Sequence, residues 1–188
     1  MCDYKYLMTS FTYLLILIFA SYIIGAPHVL MSARFLGDTT EEQAREIYKE
    51  LRVLGVNVFM VEAGPGETFG DATSFGLYHM IAMIAICSHN YGQKTRSPYS
   101  SNAELKYAIQ NWISFIPVKF GKKYPPEPPL DFDGGNTGTE QNKLAFSTDL
   151  VYCDWSTRDW DAKECAKEIK KALEKIGKCP MIDAASRI

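Results

Sequence analysis

The chain has 188 residues, enough for one domain of ordinary size plus an extension, and its 47% hydrophobic and 22% charged composition is that of a globular protein. Twenty Lys and Arg against 22 Asp and Glu leave a net charge of −2, which argues against a nucleic-acid binder with a basic face. Five cysteines (Cys2, Cys87, Cys153, Cys165 and Cys179) are widely spaced and include no CxxC, so neither a disulfide framework nor a zinc site is indicated. Burial of Cys87, Cys153 and Cys165 as small hydrophobes in a reducing compartment accounts for them better.

Residues 7–26 are apolar, densest at Leu14 to Ala20, and long enough for one membrane span. Three readings stay open for them: a membrane anchor, a signal peptide, or an extension outside the working protein. The signal peptide reads poorly, because Asp3 sits against Lys5 ahead of the segment and Pro27 follows its best cleavage site. The folded domain is expected over residues 27–177, with a tail over 178–188.

His28 to Ser32 reads as the first strand. Thr39 and Thr40, with Glu42 and Gln43 three residues on, have capping-box spacing for a helix that places Ala44, Ile47, Tyr48, Leu51 and Leu54 on one face and stops at Gly55. Val56 to Val61 is the second strand, Ala72 to His79 a short helix, and Met80 to Cys87 the third strand. A polar loop, Ser97 to Ala103, then runs into a helix with Leu105, Ala108, Ile109 and Trp112 at helical spacing. Ile113 to Val118 and Leu150 to Cys153 follow as strands, and Asp161 to Ile176 is a last helix, burying Ala162, Cys165, Ala166, Ile169, Leu173 and Ile176. Between Phe120 and Ser147 the connection exceeds the usual loop length, as a lid, a packed Ω-loop or a mobile segment does. Asp131 and Asp133 before Gly134 and Gly135 loosely evoke a calcium loop, but the later ligands are missing.

Strand–helix alternation around a nearly continuous apolar third strand predicts an α/β fold: a doubly wound, parallel, five-stranded sheet with helices on both faces. Sites in such sheets form at the carboxyl ends of the strands, near a switch point. Residues 32–38, 62–70 and 88–104 all leave carboxyl ends and are expected to converge on one cleft.

Glu104 is the residue there with the clearest chemistry. It precedes the apolar stripe, so it can face the cleft, and near a helix N-terminus its carboxylate is expected to stay ionised at neutral pH. The plainer alternative is a first-turn glutamate that serves only the helix dipole, worth under about 1 kcal/mol. Arg34 can hold a phosphate, or it can sit in a local surface salt bridge. Gly64, Gly66 and Gly70 mimic a dinucleotide fingerprint, but the spacing is off by one and the run follows the second strand. His28, His79 and His89 look isolated, and neither a hydrolytic triad nor a Walker-type phosphate loop is present.

The strand ending in Ser32, Ala33, Arg34 and Phe35, the Gly64–Gly70 loop and the Asn102-Ala-Glu-Leu105 helix start occur in an order that resembles a Toll/interleukin-receptor (TIR) domain of the stand-alone, NAD-cleaving type. The resemblance covers roughly residues 27–176. It implies a flavodoxin-like TIR fold, cytoplasmic placement with or without an anchor, and a role in signalling or defence. It also implies cleavage of NAD or NADP as substrate, with release of nicotinamide and no cofactor or metal. Glu104 matches the family's catalytic glutamate. Substrate contacts are then expected from Ser32, Arg34, Phe35, Tyr99 and Ser100, and from Gly64, Pro65, Gly66 and Phe69 in the place of the gating BB loop. The sequence departs from the family's pattern at two places: Ala33 stands where members carry a first-strand aromatic, and Tyr99, Ser100 and Ser101 stand near where many carry Trp-Cys. The implied partners are further copies or other TIR domains. The alternative under the same resemblance is a non-enzymatic adaptor working through TIR–TIR association.

Overall fold

A computed structural model describes residues 26–62, 68–147 and 149–182. The apolar segment 7–25, the loop residues Gly64, Pro65 and Gly66, and the end of the tail from 183 onward lie outside the described residues. Five parallel strands form the sheet: β1 (His28–Ser32), β2 (Val58–Met60), β3 (Met80–Cys87), β4 (Ser114–Lys119) and β5 (Cys153–Asp154). Their spatial order is β2-β1-β3-β4-β5, the doubly wound flavodoxin-like order, so the switch point falls between β1 and β3. The helices are α1 (Thr39–Val53), α2 (Phe69–His79), α3 (Ser101–Gln110), α4 (Thr137–Ala145) and α5 (Ala162–Lys175).

β3 is central and apolar because both of its faces are covered. Val29, Met31, Ile84 and Ile86 pack with Ala44, Ile47 and Leu51 of α1 and with Cys165, Ile169 and Leu173 of α5. Leu30, Met83, Ala85 and Cys87 pack on the other face with Leu105 and Ala108 of α3 and with Phe146. The period-two alternation along β1 therefore sends Leu30 and Ser32 toward α3. That parity decides the site.

The structure corrects several expectations. α1 is capped by Asp38, whose side chain accepts from the Glu41 amide, so Thr39 and Thr40 are already helical. α2 starts at Phe69, three residues earlier than Ala72, because Thr68 caps it through the Asp71 amide. β2 is shorter than Val56 to Val61, with Val56 bridging Met181 instead, and β5 is only Cys153–Asp154, leaving Val151 exposed. Trp112 does not join the buried stripe: it lies past the end of α3 at φ 55° and is 94% exposed. Ile176 is the exposed C-cap of α5. His28 and His79 are not isolated, since His28 stacks on Phe59 and Phe75, and Phe75 contacts His79.

The long connection after β4 is packed, and it contains α4. Asp131 Oδ1 accepts from the Lys94 amide and Oδ2 from Gly138, so this carboxylate anchors backbone instead of forming a calcium loop. Asn142 is fully buried, and its Nδ2 donates to Tyr91 O at 2.7 Å and Pro126 O at 2.9 Å. Its side chain ties α4 to two loops at once. Asn142→Ala leaves both buried carbonyls unpaired and is expected to cost about 2–4 kcal/mol. In thermal melts followed by circular dichroism, this appears as a drop of roughly 5–15 °C. A loss of only a degree or two would show that the two loops hold without this amide.

Candidate active site

At the carboxyl end of β1, beside the switch point, Ser32 is 1% exposed and points at α3. Its hydroxyl donates to Glu104 Oε2 at 2.6 Å. Behind it the hydroxyl of fully buried Tyr91 donates to Ser32 Oγ at 2.9 Å. The result is a directed chain, Tyr91 to Ser32 to Glu104, with the Met83 sulfur at 3.9 Å a second, weaker acceptor for the Tyr91 proton. Sequence reasoning missed Tyr91 because nothing in the spacing ties a loop tyrosine to a strand residue 59 positions away. Two further bonds brace the loop that carries it. Gly92 N donates to Ser101 Oγ at 3.2 Å, and Asn102 Nδ2 donates to Gly92 O at 2.8 Å.

Glu104 itself is 7% exposed and forms no salt bridge among the described residues. Its Oε1 makes no hydrogen bond among them. Burial pushes its carboxyl up to about 7, against the pull of the Ser32 hydrogen bond in the other direction. The expectation of a carboxylate held ionised by the helix N-terminus is thus corrected. Glu104 is the fourth residue of α3, where the dipole's influence is already falling off, and desolvation outweighs it. At neutral pH this group sits near half-ionisation.

A cleft of about 220 Å³ lies against Glu104. Arg34 and Phe35 line it from the β1–α1 loop, Phe69 from the start of α2, and Tyr99 and Ser100 from the approach to α3. Most of the residues expected at the site are therefore brought together, with Ser32 beneath them. Gly64, Pro65 and Gly66 cannot be placed with them, lying outside the described residues. Arg34 is half-buried, its Nε has no hydrogen-bond partner, and it joins no ion pair among the described residues. The surface salt bridge considered for it is absent there, which leaves a guanidinium free for an anion. Phe35 also packs beneath Arg45, whose guanidinium carbon lies 5.2 Å from the ring centroid, and Arg45 in turn pairs with Glu41 and Glu62.

Tyr99 is 48% exposed and lies over Gly70: a Cβ at Gly70 would meet the Tyr99 hydroxyl at 2.7 Å. The missing side chain lets this ring reach across the mouth of the cleft to α2. At 220 Å³ the cleft falls below the roughly 300–1,000 Å³ of whole-ligand pockets, so it suits a ring and a sugar better than an entire dinucleotide. Among the described residues no group of three or more His, Cys, Asp or Glu side chains is placed to hold a metal ion. No helix among them is long and apolar enough to cross a membrane.

Comparison with known protein families matches residues 37–169 to the TIR domain. No curated protein matches the chain.

Proposed function

Because the chain belongs to the TIR-domain family, we propose that it cleaves NAD or NADP at the bond between nicotinamide and ribose, with Glu104 as the catalytic carboxylate. The observation that supports this reading most is a buried glutamate held by Ser32 that, among the described residues, has no salt bridge and one oxygen unengaged, beside a cleft whose Arg34 joins no ion pair among those residues.

The C1′–N bond breaks with its electron pair going to the ring nitrogen, so the pyridinium leaves as neutral nicotinamide. Positive charge develops on the ribose, as in glycoside cleavage, and a fixed anion stabilises that state more than the ground state. Water then adds to C1′ and loses a proton, leaving ADP-ribose; capture by a nitrogen of the adenine leaves a cyclic product instead. No general acid is required, which suits a cleft lined by one carboxylate among the described residues. Ser32 and Tyr91 orient Glu104, Arg34 holds a phosphate, and Phe35 and Ser100 line the nucleotide side of the cleft. Phe69 and the loop residues Gly64, Pro65 and Gly66 gate the mouth. Association with further copies or other TIR domains completes the site around the rest of the dinucleotide.

The test is release of nicotinamide when the full chain is incubated with NAD or NADP at high protein concentration. Release is expected from at least one of them; none from either, by folded and self-associated protein, would favour the adaptor role. Tyr99, in this reading, stacks on a ring of the substrate. Tyr99→Ala is expected to raise KM about tenfold while changing kcat less, which steady-state kinetics will show. An unchanged KM would remove Tyr99 from the binding surface.

A further inference from the structure

α3 begins on the wall of the Glu104 cleft: Ser100 is its N-cap and Ser101 its first residue, and both line the cleft with Glu104 and Arg34. A helix starts with amides that its own turns cannot satisfy, and an N-cap serine ordinarily accepts from one of them. Here the Ser100 side chain makes no capping bond, and the amides of Ser101, Asn102 and Ala103 have no acceptor among the described residues. The nearby side chains are committed elsewhere. Ser101 Oγ accepts from Gly92 N at 3.2 Å, Asn102 Nδ2 donates to Gly92 O at 2.8 Å, and Glu104 is held by Ser32. With Gln141 Nε2 donating to Asn102 O at 2.6 Å, these bonds also fix the turn in place.

The Ser100 hydroxyl points to a ligand independently of the helix. Ser100 is 7% exposed, and its Oγ makes no hydrogen bond among the described residues. It is not sealed off from solvent, as the unpartnered hydroxyls of Thr73 and Ser88 are, so the surface it keeps opens on the cleft. Arg34 lines the same cleft from the β1–α1 loop and joins no ion pair among the described residues. Open amides at a helix start, a hydroxyl donor and a guanidinium all favour one ligand, a phosphate. The size of the cleft says which phosphate. About 220 Å³ takes a ring and a sugar, so a ribose whose C1′ lies by Glu104 brings its own 5′-phosphate to the start of α3.

On the reading that nicotinamide is released in this cleft, we propose that the N-terminus of α3, with the Ser100 hydroxyl and the Arg34 guanidinium, receives the phosphate on the nicotinamide ribose. The cleft thereby recognises the nicotinamide mononucleotide half of the substrate.

The test is a titration of the isotope-labelled full chain carrying Glu104→Gln, which slows turnover, with nicotinamide mononucleotide, nicotinamide riboside and inorganic phosphate, followed by amide NMR shifts. Both nicotinamide compounds carry the pyridinium cation, so the difference between them isolates the phosphate. The mononucleotide is expected to saturate with shifts at Ser101, Asn102 and Ala103, and to bind about tenfold more tightly than the riboside or better. Inorganic phosphate should move the same three amides at higher concentration. Adding Ser100→Ala should weaken the mononucleotide about tenfold and leave the riboside unchanged. Ser100→Asp puts a carboxylate where the phosphate belongs. It should raise the melting temperature by capping α3 and yet erase the mononucleotide's advantage, which no folding defect does. A riboside that binds as tightly as the mononucleotide, or an advantage that survives both Ser100 variants, would overturn the phosphate receptor and leave nicotinamide release by the parent standing. A parent that releases no nicotinamide, with the mononucleotide still bound through Ser100, would overturn cleavage and keep the receptor. Saturation by neither nicotinamide compound would overturn both.

Discussion

Glu104→Gln is expected to melt higher than the parent at pH 8 and to lose most of that margin at pH 5. The folded protein holds the Glu104 carboxyl at about 7, against an ordinary value of 4.5. Below the ordinary value both folded and unfolded chains carry the proton, and the group is neutral in its effect. Between the two values the folded state keeps a proton that the unfolded state has released, so stability falls as pH rises. Above pH 7 the full cost applies, about 3 kcal/mol. Glutamine carries no charge to desolvate, although its amide brings donors that need partners, so the gain is smaller than that figure. A rise of roughly 5–10 °C at pH 8 is the expected size. If parent and variant melt with the same pH dependence from 5 to 8, Glu104 is not a buried carboxyl of raised pKa.

The second large effect is on the pH dependence of turnover. If the ionised form of Glu104 stabilises the ribosyl cation, kcat/KM for nicotinamide release rises with pH and levels off above about 7, where the free protein's carboxyl titrates. The midpoint for kcat lies lower, because the bound pyridinium cation favours the carboxylate. Ser32→Ala removes the one hydrogen bond that draws the Glu104 value down, so both profiles move to higher pH. A hydrogen bond to a charged group is worth about 1.5–3 kcal/mol, and the rate at pH 7 should fall about tenfold or more while recovering toward pH 9. Recovery at high pH separates lost titration from lost structure. Tyr91→Phe should shift the profile the same way by less, since Tyr91 acts only through Ser32. A profile flat between pH 6 and 8 in the parent would exclude Glu104 ionisation from the rate.

What was legible in the sequence follows from what each segment is made of. Met80 to Cys87 could be read to the residue because a strand covered on both faces must be apolar throughout. The α1 stripe of Ala44, Ile47 and Leu51 was equally plain, for a helix with one buried face. α4 escaped notice because it buries Gly138, Thr139 and Asn142, which pack through hydrogen bonds and close backbone approach and leave no apolar period. At the site, Glu104 was named from its place before the stripe and Ser32 and Arg34 from the loop that leaves β1, whereas Phe35, Tyr99 and Ser100 were named through the resemblance to a TIR domain. The state of the carboxyl was not. Its raised value depends on how completely β1, Tyr91 and α3 close around it, a property of tertiary packing that no local spacing records.

Nicotinamide release from NAD by the full chain, measured beside Glu104→Gln at equal folded concentration and pH 8, addresses the central claim directly. Release by the parent that falls roughly 10²–10³-fold or more in the variant, with the variant melting no lower, is the result expected for a carboxylate that stabilises the transition state. Equal release by the two proteins would contradict it, and the carboxylate that cleaves NAD would have to be sought elsewhere in the fold.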